Sequence, residues 1–358
     1  MRKAFFLLAF ILPVCSVLAQ TIPTIVVPSA TDQNYYLIKS TGNNNEATVD
    51  QQNPDNWARI LQPGNGNKAV VKQINHNTDV DNVIGKVYQS GNNNKAFITQ
   101  EHDGTLGPLG VMEARTHQTG NGNRATQIQG PGTKTGVMLA VTNQSGDGNV
   151  GHQEQHGYNN NEFINQEGNN NVGRQLQENN VMSSNTVILQ PGSGNKAYQN
   201  QTGSGTALNA LTMQSGNGNK STQNQTGWVN LALVDQQGNT SVARQDQAGP
   251  LNLAGIRQKT NGNVARQSQD NTGGDHTAGY PAANVALILQ QGGNGNVAQQ
   301  TQTSVSTPVW EANYGAIYQN GGNNKAFQTQ DGGNNLGYVI QVGNGNVAHA
   351  SQSQVITP

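Results

Sequence analysis

Seven histidines could serve as bases or metal ligands: His76, His102, His117, His152, His156, His276 and His349. The one suggestive spacing is His152-x-x-x-His156. On an extended stretch these two share a face but sit too far apart for one ion, so they read as solvated residues. Cys15 is the only cysteine. No Gly-x-Ser-x-Gly elbow or Walker-type loop occurs. The many Gly-Asn-Gly turns imitate phosphate loops only superficially, because they recur along the chain and open no helix. A calcium-binding nonapeptide repeat would need Asp in its turns, and Asp147 is almost alone there. An ice-binding face would need a continuous threonine column, whereas Thr48, Thr126 and Thr222 are scattered. The expectation is a protein that is not an enzyme, with no catalytic, cofactor or metal residues.

The chemistry left is that of the side-chain amide. The 358 residues include 51 Asn, 41 Gln and 44 Gly. Apolar residues are 33% and charged residues 11%, against roughly 45–50% and 25% in ordinary domains. That composition lacks the apolar volume for a conventional enzyme core. The formal net charge of -1 excludes a highly charged disordered tail and gives no basic footprint for nucleic acid. An amide-rich disordered chain or an amide-rich repeat remains.

The first twenty residues carry their own signal. Arg2 and Lys3 precede an apolar run from Ala4 to Leu12, and Val17-Leu18-Ala19 supplies small residues for a peptidase. Residues 1–19 read as a secretory signal peptide cleaved after Ala19. The run is short for a membrane span, and Leu12-Pro13-Val14 is a poor lipobox before Cys15. Cleavage there leaves a mature chain without cysteine.

One pattern recurs: Gln-x-Gly-x-x-Asn-x-Ala-x-x-x-Gln. Clear copies carry Gln62, Gly64, Asn67, Ala69 and Gln73; Gln89, Gly91, Asn94, Ala96 and Gln100; Gln118, Gly120, Asn123, Ala125 and Gln129. Further copies carry Gln190, Asn195, Ala197 and Gln201; Gln291, Asn296, Ala298 and Gln302; Gln319, Asn324, Ala326 and Gln330; Gln341, Asn346, Ala348 and Gln352. Weaker copies start at Ser40, Gln144, Gln166, Gln214, Gln236 and Gln258, which makes thirteen. The base spacing is 22 residues. Insertions fall outside the motif, at 130–135 and within 270–283 among others, and are expected to project from one edge near Asp103, Gly132, Gly274 and Ser304. A fixed core with variation at one connection describes a solenoid.

Each repeat holds two seven-residue extended stretches, such as 56–62 followed by 67–73. Two residues before each start stand Ile38, Ile60, Val87, Thr116, Thr142, Ile164, Ile188, Thr212, Val234, Ile256, Leu289, Ile317 and Val339. All but Leu289 are β-branched, as a packed pleated face prefers. The residue after the motif Asn is often charged (Lys68, Lys95, Arg124, Lys196, Lys220, Lys325), so it faces water, and period two turns the Asn, Ala and Gln columns inward. A buried unpaired amide costs roughly 1–3 kcal/mol. Stacking turns ~4.8 Å apart lets each amide donate to the same amide of the next turn. Thirteen such turns span roughly 60 Å. Gly and Asn supply the corners, where φ > 0 is tolerated. The outer aromatics Trp57, Phe97, Tyr198 and Phe327 read as scattered solvated residues or as a lateral adhesive surface.

This unit, at 22-residue spacing behind a signal peptide, resembles the curlin repeat of curli fibre subunits. The resemblance covers about residues 34–352. It implies an all-β solenoid of about thirteen strand-turn-strand repeats and a secreted structural subunit that polymerises into amyloid fibres on a Gram-negative cell surface. The implied partners are further copies of the chain, a nucleator or second subunit, and an outer-membrane secretion channel. Residues 20–33 would then be a flexible secretion-targeting segment and residues 353–358 a short tail. With so little chain beyond the repeats, both solenoid ends are expected to be open. Two alternatives stay open: a solenoid adhesin that does not polymerise and binds a surface or glycan through its inserted loops, and a minor nucleator subunit.

Overall fold

The computed structural model describes residues 34–76, 82–102, 111–132, 137–157, 159–178, 183–203, 207–273, 283–305 and 312–353. The signal peptide, the 20–33 segment, the tail beyond Ser353 and the centres of the longest insertions lie outside these residues.

The described residues form two parallel sheets of thirteen strands each. The first sheet takes β1 (Tyr35–Thr41), β3 (Asn56–Asn65), β5 (Asn82–Asn92), β7 (Val111–Thr119), β9 (Val137–Ser145), β11 (Asn161–Glu167), β13 (Asn185–Gln190), β15 (Asn209–Gln214), β17 (Leu231–Gln236), β19 (Asn252–Gln258), β21 (Asn284–Gly292), β23 (Asn313–Gly321) and β25 (Leu336–Val342). The second takes β2 (Glu46–Gln52), β4 (Lys68–Asn75), β6 (Lys95–His102), β8 (Arg124–Gly132), β10 (Val150–Gln155), β12 (Val172–Gln177), β14 (Lys196–Thr202), β16 (Lys220–Thr226), β18 (Val242–Ala248), β20 (Val264–Gly273), β22 (Val297–Val305), β24 (Lys325–Asp331) and β26 (Val347–Ser353). In each sheet every strand pairs with the strand two places on in the chain, so the fold is an all-β solenoid.

Alternation decides what lies between the sheets. Along β4 burial alternates from Lys68 outward to Ala69 inward and so on to Asn75. The β-branched column of the first sheet (Ile60, Ile164, Ile256) meets the alanine column of the second (Ala69, Ala197, Ala265), and all six are fully buried. A branched side chain opposite a methyl fills a thin interior without voids.

One position departs from the sequence expectation. The first-sheet glutamine of the eleventh turn is Gln290, not Gln291: Gln258 registers with Gln290, and Gln290 with Gln319. Gln291 is half-buried and registers with Asn320. The corner from Gln290 to Asn296 is one residue longer than that from Gln62 to Asn67, so one insertion does fall inside the motif. Ile288, not Leu289, therefore joins the inward column through Ile256 and Ile317. The column is then β-branched in every turn.

The corners stack as well. Gly91 (φ 101°) and Gly120 (φ 105°) hold left-handed backbone where a Cβ would run into the carbonyl of the next turn. Two residues on, Gly66, Asn93, Gly122 and Asn170 share φ between 56° and 66°. There the αL well admits Asn with little strain.

Candidate functional site

The chemistry of this molecule is distributed along its axis, in columns of side chains that repeat turn after turn. Two glutamine ladders flank the apolar interior. In the first sheet, Gln62 Nε2 donates to Gln89 Oε1 (3.0 Å), Gln89 to Gln118 (2.8 Å), and the chain of bonds continues to Gln319 and Gln341 (2.8 Å). Gln190 is one of its rungs, donating to Gln214 at 2.9 Å. In the second sheet, Gln51 donates to Gln73 (2.9 Å), Gln73 to Gln100 (2.9 Å), and Gln100 to Gln129 (2.8 Å). That ladder passes through Gln201 and Gln302 and ends with Gln330 on Gln352 (2.9 Å). The remaining N–H of a rung reaches a backbone carbonyl, as Gln62 Nε2 does to Glu46 O (2.9 Å). Between the end rungs these amides are buried, yet the oxygen and the nitrogen of each have partners.

The asparagine column works differently from the expected amide-to-amide ladder. Asn67 Oδ1 accepts the backbone N–H of Asn94 (3.0 Å), and Asn94 Oδ1 that of Asn123 (3.0 Å). Asn67 Nδ2 donates to the corner carbonyl of Gly91 (2.8 Å), and Asn94 Nδ2 to that of Gly120 (2.8 Å). The pattern recurs at Asn195, Asn296, Asn324 and Asn346, where each backbone N–H is capped by the preceding column residue. Asparagine is one carbon shorter than glutamine and stands where the chain leaves a corner. Its side chain therefore satisfies backbone groups that the curved segment cannot pair.

A third glutamine ladder was not anticipated. It runs Gln127, Gln153, Gln175, Gln199, Gln223, Gln245, Gln267, Gln300 and Gln328, with 2.8 Å from Gln127 to Gln153 and 3.0 Å from Gln300 to Gln328. The same register holds Val71 and Ile98 at one end and Ala350 at the other. Where threonine replaces the opposing Ile or Val, its hydroxyl bonds the ladder: Thr116 to Gln127 (2.9 Å), Thr142 to Gln153 (2.8 Å) and Thr212 to Gln223 (2.9 Å).

One inward position breaks the pattern. The first-sheet column of Ala58, Gly85, Ala114 and Ala140 next holds Glu162. Its carboxylate is buried, and neither oxygen has a hydrogen-bond partner among the described residues. Burial pushes this group well above the usual carboxylate range, and the nearby charge of Glu154 adds to the push. Thr186, the next residue in the column, also has an unpartnered hydroxyl.

The outer faces of the two sheets differ. On the second sheet the middle outward column includes Arg174, Tyr198, Thr222, Arg244, Arg266 and Gln299, with Lys196 and Lys220 beside it. A trough of about 470 Å³ lies there between Lys220, Arg244, Arg266 and Thr301. His152 and His156 lie on this face and flank Glu154 at 3.5 and 3.2 Å. Among the described residues, no group of three or more acidic, His or Cys side chains could hold a metal ion.

On the first sheet the middle outward column reads Val141, Phe163, Val187, Leu211, Leu233, Gly255, Leu287, Ala316 and Tyr338. Nearer β1, the column holds Arg59, Lys86 and Arg115 instead. There Lys86 (2.8 Å) and Arg115 (2.7 Å) grip the buried Glu113. Burial pushes Glu113 up, but these cations outweigh it and hold the carboxyl below its ordinary value. The aromatics do not share one surface: Trp57 stacks on Tyr35 in the first sheet, whereas Phe97 and Phe327 lie on the second, beside Arg124 and His349.

The family model described as the Curlin associated repeat matches residues 42–74. That stretch runs from the first corner through β2, β3 and β4 and holds one full rung of each motif column. The match supports assigning the chain to the curlin-repeat family. No curated protein matches the chain. No helix among the described residues is long and apolar enough to cross a membrane.

Proposed function

We propose that this chain is a secreted structural subunit that stacks head-to-tail into extracellular curli-like fibres. The observation that carries this reading is the chemistry of the two ends. Each Gln rung donates its Nε2 toward the next turn. Gln352 Nε2 bonds only Leu336 O (2.9 Å) among the described residues, which leaves one N–H unused. Gln51 donates to Tyr35 O and Gln73 but, among the described residues, accepts no bond through its own Oε1. One end thus offers donors and the other acceptors in the same column.

The remaining columns agree. Asn346, Ala348 and Gln352 in β26 and the residue before it would sit under Asn45, Ala47 and Gln51 of a second copy. The bulky Tyr36, which holds the small-residue position in β1, would fall over Gly337 in β25. Strands β1, β2, β25 and β26 each have one neighbour in their sheets. Stacking that repeats without closing gives filaments. A structural role needs no catalytic residue. Export by a signal peptide at residues 1–19, and addressing by residues 20–33, complete the proposal.

The test is thioflavin fluorescence of the purified chain over time, with electron microscopy of the product. The reading requires a lag that preformed filaments abolish. A chain that stays monomeric through weeks at tens of micromolar sinks it.

A further inference from the structure

The middle outward column of the first sheet carries no charged or amide side chain over nine successive turns, from β9 to β25, in a chain that is only 33% apolar overall. Val141, Phe163, Val187 and Leu287 are half-buried on the middle column, with Leu211 and Leu233 among them at 8% and 5% exposure. The columns beside it are apolar from β17 onward, as at Leu253 and Leu289, apart from one ion pair, and on β9 to β15 they also hold Asn143, Asn161, Asn165, Asn185 and Asn209. Across the three outward positions of these nine strands, the charged side chains are Asp235 and Arg257. They lie on adjacent turns as an ion pair at 2.9 Å, so the face carries no net charge. The equivalent face of the second sheet carries Arg174, Lys196, Lys220, Arg244 and Arg266. The fold does not require this contrast, because both faces are outside the core. On β17 to β25 the apolar surface spans all three outward columns around that one ion pair, and contiguous apolar surface on an outer face marks an interaction site.

We propose that this face packs against the same face of a second copy of the chain, so that two solenoids lie side by side with their first sheets in contact. Three observations choose this occupant. The face measures roughly 43 Å along nine turns, and with its side chains, the asparagines included, offers about 600–800 Å² per copy. Stable complexes bury about 800 Å² per partner. The neutral Asp235–Arg257 pair gives a charged partner nothing to match. Side chains repeat at ~4.8 Å along the axis, and a surface of the same pitch is the one that interdigitates with them at every turn. The pairing is isologous and sideways, so it closes at two and does not depend on end-to-end growth.

The experiment compares the full chain with a double variant, Val187→Lys with Leu287→Lys, and with a control, Val264→Lys with Gln299→Lys, on the outer face of the second sheet. Sedimentation velocity reads the dispersed protein, and mass per unit length by scanning transmission electron microscopy reads any filaments. The parent and control are expected to sediment as pairs, or to form filaments with two chains per cross-section. The double variant should halve both values while keeping the parent's β-sheet circular dichroism. If the double variant does not fold, the parent decides the matter by itself: a single chain per cross-section, or a monomer at tens of micromolar, overturns the pairing. Equal mass per length in parent and folded double variant overturns it too. So does a monomeric parent that floats with phosphatidylcholine vesicles, which would assign the face to lipid. A chain that pairs but forms no filaments supports this inference while defeating head-to-tail growth, so the two failures are distinguishable.

Discussion

Gln330 Nε2 donates to Gln352 Oε1 across 2.9 Å, and Gln352 is the last rung of a ladder that starts at Gln51. Inside the solenoid every such amide has a rung on both sides. At Gln352 the outward donor has none among the described residues, and at Gln341 the first-sheet ladder ends in the same way. The last turn is therefore where assembly can be disturbed with least harm to the fold.

Replacing Gln341 and Gln352 together by Lys should slow filament elongation at least tenfold, because two ammonium charges would have to be buried without counter-ions in the junction with an incoming copy. The other twelve turns keep their ladders, so the monomer's thermal midpoint should fall only slightly. Seeded thioflavin kinetics provide the check. Elongation at the parent's rate would show that growth does not pass through this turn.

An interior rung has a different signature. Gln201→Ala removes the acceptor of Gln177 and the donor to Gln225, both at 2.8 Å. Two buried amide groups lose their partners, at roughly 1–3 kcal/mol each. A loss of about 2–5 kcal/mol in unfolding free energy is expected from denaturant titration. A loss below ~1 kcal/mol would mean that water or a neighbour replaces the rung, and that the ladders are not what holds the interior.

The corners make a paired prediction. Gly91→Ala places a methyl against the Gly120 carbonyl at φ 101°, and neither side can yield, since both are stacked backbone. Gly122 has φ 66° and open space around its missing Cβ. Gly122→Asn should cost under ~1 kcal/mol, as Asn93 already holds the equivalent conformation, whereas Gly91→Ala should cost several. Thermal melts of the two variants test the ranking, and equal midpoints would contradict it.

Much of this was legible because the solenoid's constraints are periodic. A column such as Gln62, Gln89 and Gln118 appears in every turn, so it survives variation elsewhere. What the repeat hid has physical causes. The third ladder is hidden in the sequence because its position takes either an amide or an apolar group: Gln199 bonds within it, while Val71 and Ile98 pack in the same register. Gln290 and Gln291 look alike in the sequence because two adjacent glutamines precede a corner with one extra residue, and only the register separates them. The apolar outer face was masked by its own composition. In β13, Val187 and Leu189 point out while Ile188 points in, so a hydrophobicity alternation cannot tell the two sides apart.

Glu162 gives the last prediction. It occupies an alanine column, buried and without a hydrogen-bond partner among the described residues. In the unfolded chain its carboxyl ionises near 4.5, and in the folded chain burial raises that value. Below 4.5 both states hold the proton and the residue leaves stability unchanged with pH. Above 4.5 the unfolded chain releases its proton while the folded chain retains it, so folding is progressively penalised until pH passes the raised value. Stability at this turn should therefore fall as pH rises from about 4.5 toward neutrality. Glu154, beside it on β10, opposes ionisation further. Its own carboxyl is also pushed up by burial, but the His156 and His152 hydrogen bonds outweigh that and hold it low. Glu162→Gln keeps the shape, cannot ionise, and should flatten the pH dependence while raising the unfolding midpoint at pH 7. Denaturation midpoints of both proteins across pH 4 to 8 decide the point. Parallel curves would show that Glu162 ionises in the folded state as freely as in the unfolded one, by swinging out of the column or by finding a partner there.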